Sequence, residues 1–318
     1  MEGSGSLSLS LPYPWHESIW DNFNQDIEQD RLAHALMLNG PKGIGKVRLA
    51  MALAQRLLCT AEMSRYACGS CKSCQLLLAG NHPDLTVLEP EDVEKKILIE
   101  PVRKLCALLS KTAQQGGWKV AVIIPAESMN ISAANALLKS LEEPQGNTLL
   151  ILVSDRPGMV SATIRSRCQK TNLALPDSRI ANQWLGEITG NSEQSEATLA
   201  LSAGRPLLAL EYMQSDSLEI RRDFEATLDA LRRGDISAVD AAQKCHKQNA
   251  DIMLGCFMDY LHRIATGELK DNPNPWLFDF SDKLRTARSW VLSGSNPNLQ
   301  LLWEELFMDW LQVFRRRR

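Results

Sequence analysis

The chain has 318 residues, of which 44% are hydrophobic and 23% are charged. This is a globular composition, and the length allows two or three domains. The formal net charge of -3 excludes a global basic field for nucleic-acid binding, and no apolar run approaches the ~20 residues of a membrane span.

The first elements can be predicted in chain order. Residues 1–12 are expected to form a disordered leader, because this end is rich in Ser, Gly and Leu and lacks the basic start of a signal peptide. A helix-period segment follows at 15–31. The apolar run 35–38 then predicts a short buried strand, and a second helix-period segment covers 48–58. Without an export signal, the protein is expected to be cytoplasmic.

The turn between this strand and the second helix is typical of a phosphate-binding loop. Its sequence, GPKGIGKV, contains Gly40, Gly43 and Gly45. These glycines let backbone amides close around phosphate oxygens, and Lys46 stands where the loop lysine reaches the β- and γ-phosphates. Val47 departs from the motif, because a Ser or Thr hydroxyl at that position would ligate Mg²⁺.

Four of the eight cysteines follow in a short insert, residues 59–74, with the pattern C-x8-C-x2-C-x2-C. They are Cys59, Cys68, Cys71 and Cys74. Thiolates at this spacing can close a tetrahedral Zn²⁺ site, and four protein ligands leave no open position for catalysis. We therefore predict a structural zinc site. The alternative interpretation is four unconnected core cysteines.

Two other interpretations of this region are possible. A knuckle that reads nucleic acid is disfavoured, because Arg65 and Lys72 are the only cations of residues 63–77. His82 and Asp84 suggest a catalytic pair, but beside a proline they are more typical of a turn.

The β-branched run 119–124 predicts a buried strand of a parallel sheet. In an active P-loop ATPase such a strand ends in acidic residues that hold Mg²⁺ and orient water. Ile124 and Pro125 stand at those positions, and Glu127 lies too far along the chain to be a confident substitute. This departure agrees with Val47, since both predicted metal ligands are missing.

The remaining elements divide the chain. A helix at 132–143, a strand at 149–153 and a strand near 170–173 complete a doubly wound α/β domain, which we assign to residues 13–175. Helical patterns without strands predict a small lid domain over 176–214 and an all-α domain over 215–318. The terminal Arg315–Arg318 run could contact DNA or form a solvated end.

The chain resembles the delta-prime family of bacterial DNA polymerase III clamp-loader subunits, which are AAA+ proteins. The resemblance covers about residues 13–209. Besides the degenerate loop and the cysteine insert, it rests on the segments YPW at 13–15, NHPD at 81–84, NALLKSLEEP at 135–144 and SRC at 166–168. It implies a three-domain subunit of a five-membered open ring. The implied partners are the tau/gamma ATPase subunits, the delta subunit, the β sliding clamp and primer–template DNA.

The resemblance also implies roles for particular residues. Arg167 corresponds to an arginine finger that the family offers to the ATP of a neighbouring subunit, and the alternative is an ordinary surface or salt-bridged arginine. The family's active ATPases carry a nucleotide-sensing Arg in a Gly-Ser-x-Arg setting, where this chain has Leu207, with Arg205 out of register. Lys46 is retained, so ATP or ADP binding without turnover stays open.

Two functional hypotheses follow. The first is a non-hydrolysing clamp-loader subunit in DNA replication, with structural zinc and no activity of its own, inside a DNA-directed DNA polymerase (nucleotidyltransferase) complex. The alternative is an active P-loop ATPase of DNA repair or remodelling with a zinc knuckle. Polymerase or nuclease activity of the chain itself has no support, because no metal-binding carboxylate constellation is visible.

Overall fold

The computed structural model of the chain divides into two compact units. The first is Met1–Trp184 with Arg205–Leu207, and the second is Leu185–Gly204 with Leu208–Arg318. The described residues are 9–61, 64–92, 95–115, 117–214, 217–248, 250–266, 275–292 and 297–315. The three predicted domain boundaries therefore stay predictions, and most of the leader and of the terminal arginine run lies outside the described residues.

The first unit is built on a five-stranded parallel sheet, which confirms the predicted α/β class. The strand order is β2-β3-β4-β1-β5. Every residue of β1, β3 and β4 is buried, as expected of apolar strands covered on both faces. The strands are β1 (Ala35–Asn39), β2 (Leu85–Leu88), β3 (Lys119–Ile123), β4 (Thr148–Ser154) and β5 (Gln169–Asn172).

Alternation along the strands creates two separate cores. In β1, Leu36 and Leu38 face one cluster, whereas Ala35 and Met37 face the other. The first cluster includes residues of α1 and α2, and the second includes residues of α4, α5 and α6. The helices of this unit are α1 (Glu17–Glu28), α2 (Lys46–Leu58), α3 (Lys72–Leu78), α4 (Ile99–Leu109), α5 (Ile131–Glu142) and α6 (Ala162–Arg165).

Some boundaries differ from the sequence predictions. The first helix begins with a 3-10 turn at Pro14–His16 and ends at Glu28, since Asp30 has a φ of 51° and cannot continue it. Helix α3 was not predicted, because its seven residues are too few to show a clear helical period. The last leader residues contact α2: the Ser10 amide donates to Gln55 Oε1 at 2.6 Å.

The second unit consists of helices packed around an aromatic core, as the sequence predicted for the C-terminal part. Phe224, Phe257, Phe280, Trp303 and Phe307 belong to one buried cluster. Helices α7 (Ser178–Thr189) and α9 (Pro206–Gln214) cross the division between the units. The others are α8 (Ser192–Leu201), α10 (Ser217–Arg233), α11 (Ala238–Cys245), α12 (Ala250–Thr266), α13 (Pro275–Leu292) and α14 (Leu299–Arg315).

A fully buried arginine lies beside this core and was missed by the sequence analysis. The Arg221 guanidinium pairs with Glu225 at 3.0 Å and Asp259 at 3.2 Å, and it donates to the Tyr212 hydroxyl at 2.9 Å. These partners compensate the burial of its charge. Among the described helices, none is both long and apolar enough to cross a lipid bilayer.

Candidate functional site

The glycine-rich loop joins β1 to α2 at the carboxyl edge of the sheet. Gly43 and Gly45 have φ values of 88° and 87°, in the left-handed region that favours glycine. Helix α2 begins directly at Lys46, with Gly45 as its N-cap. The backbone therefore has the strand–turn–helix arrangement of a phosphate-binding loop.

Aromatic side chains cover this loop. A Cβ atom on Gly45 would lie 2.3 Å from the Tyr13 ring, so Tyr13 packs directly against the glycine. Trp15 stacks on Tyr13 with ring centroids 4.7 Å apart and donates its indole N–H to the Ile44 carbonyl at 2.9 Å. Trp184 contacts both rings edge to face. The Ile44–Gly45 part of the loop is thus covered by the chain's own aromatic side chains.

The residue at the predicted sensing position also contacts the loop, through its backbone. The Leu207 amide donates to the Gly43 carbonyl at 3.0 Å. Its aliphatic side chain supplies no charge to a phosphate. The contact of Leu207 with the loop is therefore a backbone hydrogen bond, and its assignment to the sensing position stays a prediction.

Lys46 is buried, and its ammonium group is already paired. Its Nζ lies 2.6 Å from Asp155 Oδ1 and donates to the Pro41 carbonyl at 2.6 Å. The side chain is only 3% exposed. Asp155 follows β4 and was not singled out in the sequence, because nothing in the local pattern predicts a contact with a residue so far away.

A buried histidine lies next to this ion pair. Burial and then the Lys46 charge lower the pKa of His16 to about 4, so its ring is neutral at pH 7. Neither ring nitrogen of His16 has a hydrogen-bond partner among the described residues. The neutral ring avoids placing a second positive charge beside Lys46.

The positions expected to bind Mg²⁺ carry no suitable oxygen. Val47 is 42% exposed and aliphatic. Glu127, considered above as a poor substitute for the missing acid, is buried, and its Oε1 accepts from the Asp155 and Arg156 amides, both at 3.1 Å. Its carboxylate therefore fixes the loop after β4.

Arg167 lies on the surface after α6, and its side chain is 36% exposed. Its Nη2 and Nε are 2.6 and 2.7 Å from Glu142 Oε1, and Nη1 donates to the Thr163 carbonyl at 2.9 Å. Glu142 ends α5, within the NALLKSLEEP segment of the sequence. The NALLKSLEEP and SRC segments thus meet, and Glu142 of the first orients the Arg167 guanidinium of the second.

The four cysteines of the insert come together as the spacing predicted. Their sulfur atoms all lie within 4.8 Å of one another, and the Cys59–Cys71 and Cys68–Cys74 pairs are each separated by 3.9 Å. A tetrahedron with Zn–S bonds of ~2.3 Å has S–S edges of about 3.8 Å. The cluster can therefore hold a metal ion such as zinc.

Backbone amides favour thiolates at this cluster. The Cys68, Cys71 and Cys74 amides donate to the sulfur atoms of Cys59, Cys68 and Cys71, respectively, at 3.3–3.4 Å. The Ser70 hydroxyl, followed by backbone amides, lowers the pKa of Cys68 to about 5. Burial raises the pKa of Cys74, which a bound Zn²⁺ would offset by stabilising its thiolate.

The predicted turn residues brace the cysteine insert instead of forming a catalytic pair. Ser73 of α3, which lies between Cys71 and Cys74 in the sequence, donates to the Leu58 carbonyl and lies 2.8 Å from His82 Nε2. His82 Nδ1 accepts from the Asp84 amide at 3.2 Å, while the Asp84 carboxylate accepts from the Gln114 and Gln115 amides. All three side chains are buried, so a substrate has no access to them.

Replacing His82 with alanine is expected to lower the free energy of unfolding by about 1–3 kcal/mol, because Ser73 and the Asp84 amide each lose a buried partner. Thermal unfolding of the zinc-loaded protein measures this effect. His246→Ala, on the surface of the second unit, is the matched control and should change stability by less than about 0.5 kcal/mol. Equal effects of the two substitutions would contradict the bracing role.

The sheet order, the glycine-rich loop after β1 and the helices on both faces define an AAA+ P-loop core with a cysteine insert. The sequence pattern of the family described as DNA polymerase III, delta subunit, matches residues 15–177. DNA polymerase III subunit delta' of Pseudomonas aeruginosa is 37% identical over 323 residues, covering 95% of this chain and 98% of that protein. The chain belongs to the DNA polymerase III delta' family.

A second relative, from Escherichia coli, agrees with this assignment. The delta' subunit of Escherichia coli is 37% identical over 210 residues, which cover 66% of this chain and 63% of that protein. Among solved structures, a DNA polymerase III gamma subunit-related protein from Thermotoga maritima is 15% identical with a TM-score of 0.46, covering 93% of this chain and 98% of that one.

Proposed function

We propose that this chain is a clamp-loader subunit that does not hydrolyse ATP itself but completes the ATP site of a neighbouring subunit. The observation that carries the proposal is the state of its own loop. Lys46 is neutralised by Asp155 at 2.6 Å, and Val47 offers no oxygen to Mg²⁺. A loop in this state lacks the charge and the metal that phosphoryl transfer requires.

Arg167 supports the second half of the proposal. A guanidinium offered in trans stabilises the charge that develops on the γ-phosphate, which is worth ~10³–10⁵ in rate in well-studied nucleotide hydrolases. Arg167 is exposed enough to be reached, and Glu142 and the Thr163 carbonyl hold it. An incoming phosphate would compete with Glu142 for the same donors.

The partners follow from the family. The proposed neighbours are the tau/gamma ATPase subunits and the delta subunit, and the complex would place the β sliding clamp on primer–template DNA during replication. Its zinc would be structural, because Cys59, Cys68, Cys71 and Cys74 fill a tetrahedron and leave no position for a reacting water.

The purified chain alone is expected to show no ATP turnover above background, with or without primed DNA, because two metal ligands are missing and Lys46 is engaged. A steady-state ATPase assay measures this. Lys46→Ala is the control, since any activity that survives this substitution comes from a contaminant. Sustained turnover that disappears in Lys46→Ala would favour the alternative, an active P-loop ATPase.

A further inference from the structure

The groups around Lys46 determine what can occupy the phosphate-binding loop, whether or not Arg167 acts in trans. Two groups of the chain contact the Lys46 ammonium: the Asp155 carboxylate at 2.6 Å and the Pro41 carbonyl at 2.6 Å. An anionic oxygen thus already sits at hydrogen-bond distance from the amine that, in a working loop, binds phosphate oxygens.

Asp155 is held in place by the buried carboxylate of Glu127. Glu127 Oε1 accepts from the amides of Asp155 and Arg156, and Ser154 Oγ accepts from the Arg156 amide at 3.2 Å. Ser154 is fully buried at the end of β4, and Glu127 is 7% exposed. Glu127 and Ser154 therefore hold the backbone of the turn after β4. This fixes the position from which the Asp155 side chain reaches the loop.

We propose that the Asp155 carboxylate is an internal substitute for a nucleotide phosphate and that it is the residue that excludes phosphate ligands from this loop. Lys46 is then kept as the counter-ion of Asp155. A pyrophosphate group entering the loop would have to displace this carboxylate or lie beside it. Either arrangement costs free energy, through loss of the anionic partner of a buried ammonium or through repulsion of like charges.

The proposal distinguishes Asp155 from the other features that disfavour nucleotide. Val47 removes a metal ligand, and Tyr13 covers Gly45, but neither changes the charge next to Lys46. Removing the carboxylate alone leaves a buried ammonium with no anionic partner. Such a group binds an added anion in place of the missing one, and the anion then stabilises the fold.

The test uses Asp155→Asn in the full chain, with inorganic pyrophosphate as the probe because it needs no space for a base. Pyrophosphate is expected to raise the unfolding temperature of Asp155→Asn and to bind it at least about tenfold more tightly than the unmodified chain. The double variant Lys46→Met with Asp155→Asn is the control and should gain no affinity, because the ammonium is gone.

Three results would overturn the proposal. The unmodified chain could bind pyrophosphate as tightly as Asp155→Asn, Asp155→Asn could show no binding, or the double variant could bind as well as the single one. If Asp155→Asn does not fold alone while the double variant does, refolding with pyrophosphate is expected to restore it, and a failure to do so also overturns the proposal. None of these results bears on Arg167, whose role is measured only in the assembled complex.

Discussion

If the proposed function is right, replacing Arg167 with alanine is expected to abolish rapid ATP hydrolysis at the neighbouring site that this chain is proposed to complete in the assembled clamp loader. The rate at that site should fall by ~10³-fold or more, the range seen when an arginine finger is lost. Assembly should be unaffected, because Arg167 forms an exposed ion pair with Glu142, and such pairs contribute only ~0–1 kcal/mol to stability. ATPase and clamp-loading assays on the reconstituted complex measure the effect.

Two further substitutions separate the role of the guanidinium from that of charge. Arg167→Lys keeps a positive charge but loses the planar fork, so it should recover only a small part of the rate. Arg179→Ala removes an equally charged residue that is 91% exposed and paired with Asp177, and it should leave the rate unchanged. If all three variants hydrolysed ATP like the unmodified complex, Arg167 would have no part in catalysis.

Loss of zinc from the cysteine cluster is expected to lower the free energy of unfolding more than the His82→Ala substitution does. Structural zinc contributes ~10–16 kcal/mol of apparent binding free energy in small zinc-finger peptides. We expect only part of this binding free energy to add to the stability of the present fold, because the sheet also has hydrophobic cores on both faces. We expect a loss of ~3–5 kcal/mol, which corresponds to a fall of roughly 10 °C in the unfolding temperature.

Cys71→Ser is the substitution that tests this, since Cys71 also caps helix α3. Metal analysis should give one zinc per unmodified chain and none per Cys71→Ser chain. Cys106→Ser is the matched control, because Cys106 lies outside the cysteine cluster and its thiol donates to the Ala136 carbonyl at 3.6 Å. An unchanged unfolding temperature in Cys71→Ser would contradict a structural role for the metal.

The cysteine insert contacts α1, so unfolding of the insert should also destabilise that helix. Tyr66 stacks on Trp20 of α1 with ring centroids 5.6 Å apart, and Arg65 pairs with Glu17 and Asp21. Trp20 belongs to the core on that face of the sheet. Release of the insert would therefore expose part of α1 as well as the cysteine loops.

Local patterns were sufficient to predict much of this fold. The β-branched run that became β3 and the apolar run that became β1 are continuous because both sheet faces are covered. The glycines of the loop and the x2 spacing of the cysteines encode geometry within a few residues. These features depend on neighbours in the chain, so the sequence alone reveals them.

The missed features depend on residues distant in sequence. Lys46 and Asp155 meet only because β1 and β4 are neighbours in the sheet, with Asn39 opposite Ser154. From its place in the sequence Glu127 could be considered only as a distant metal ligand, but in the structure its carboxylate accepts from backbone amides after β4. No periodicity predicts such contacts, because they arise from strand order and register.

The most direct test of the central claim counts the ATP molecules hydrolysed in the first turnover of the assembled complex. With the unmodified chain, chemical-quench experiments should show one rapid hydrolysis event more per complex than with Arg167→Ala. The complexes should otherwise bind the same amount of ATP. An identical number of rapid events in the two complexes would contradict the account, because Arg167 would then complete no neighbouring ATP site.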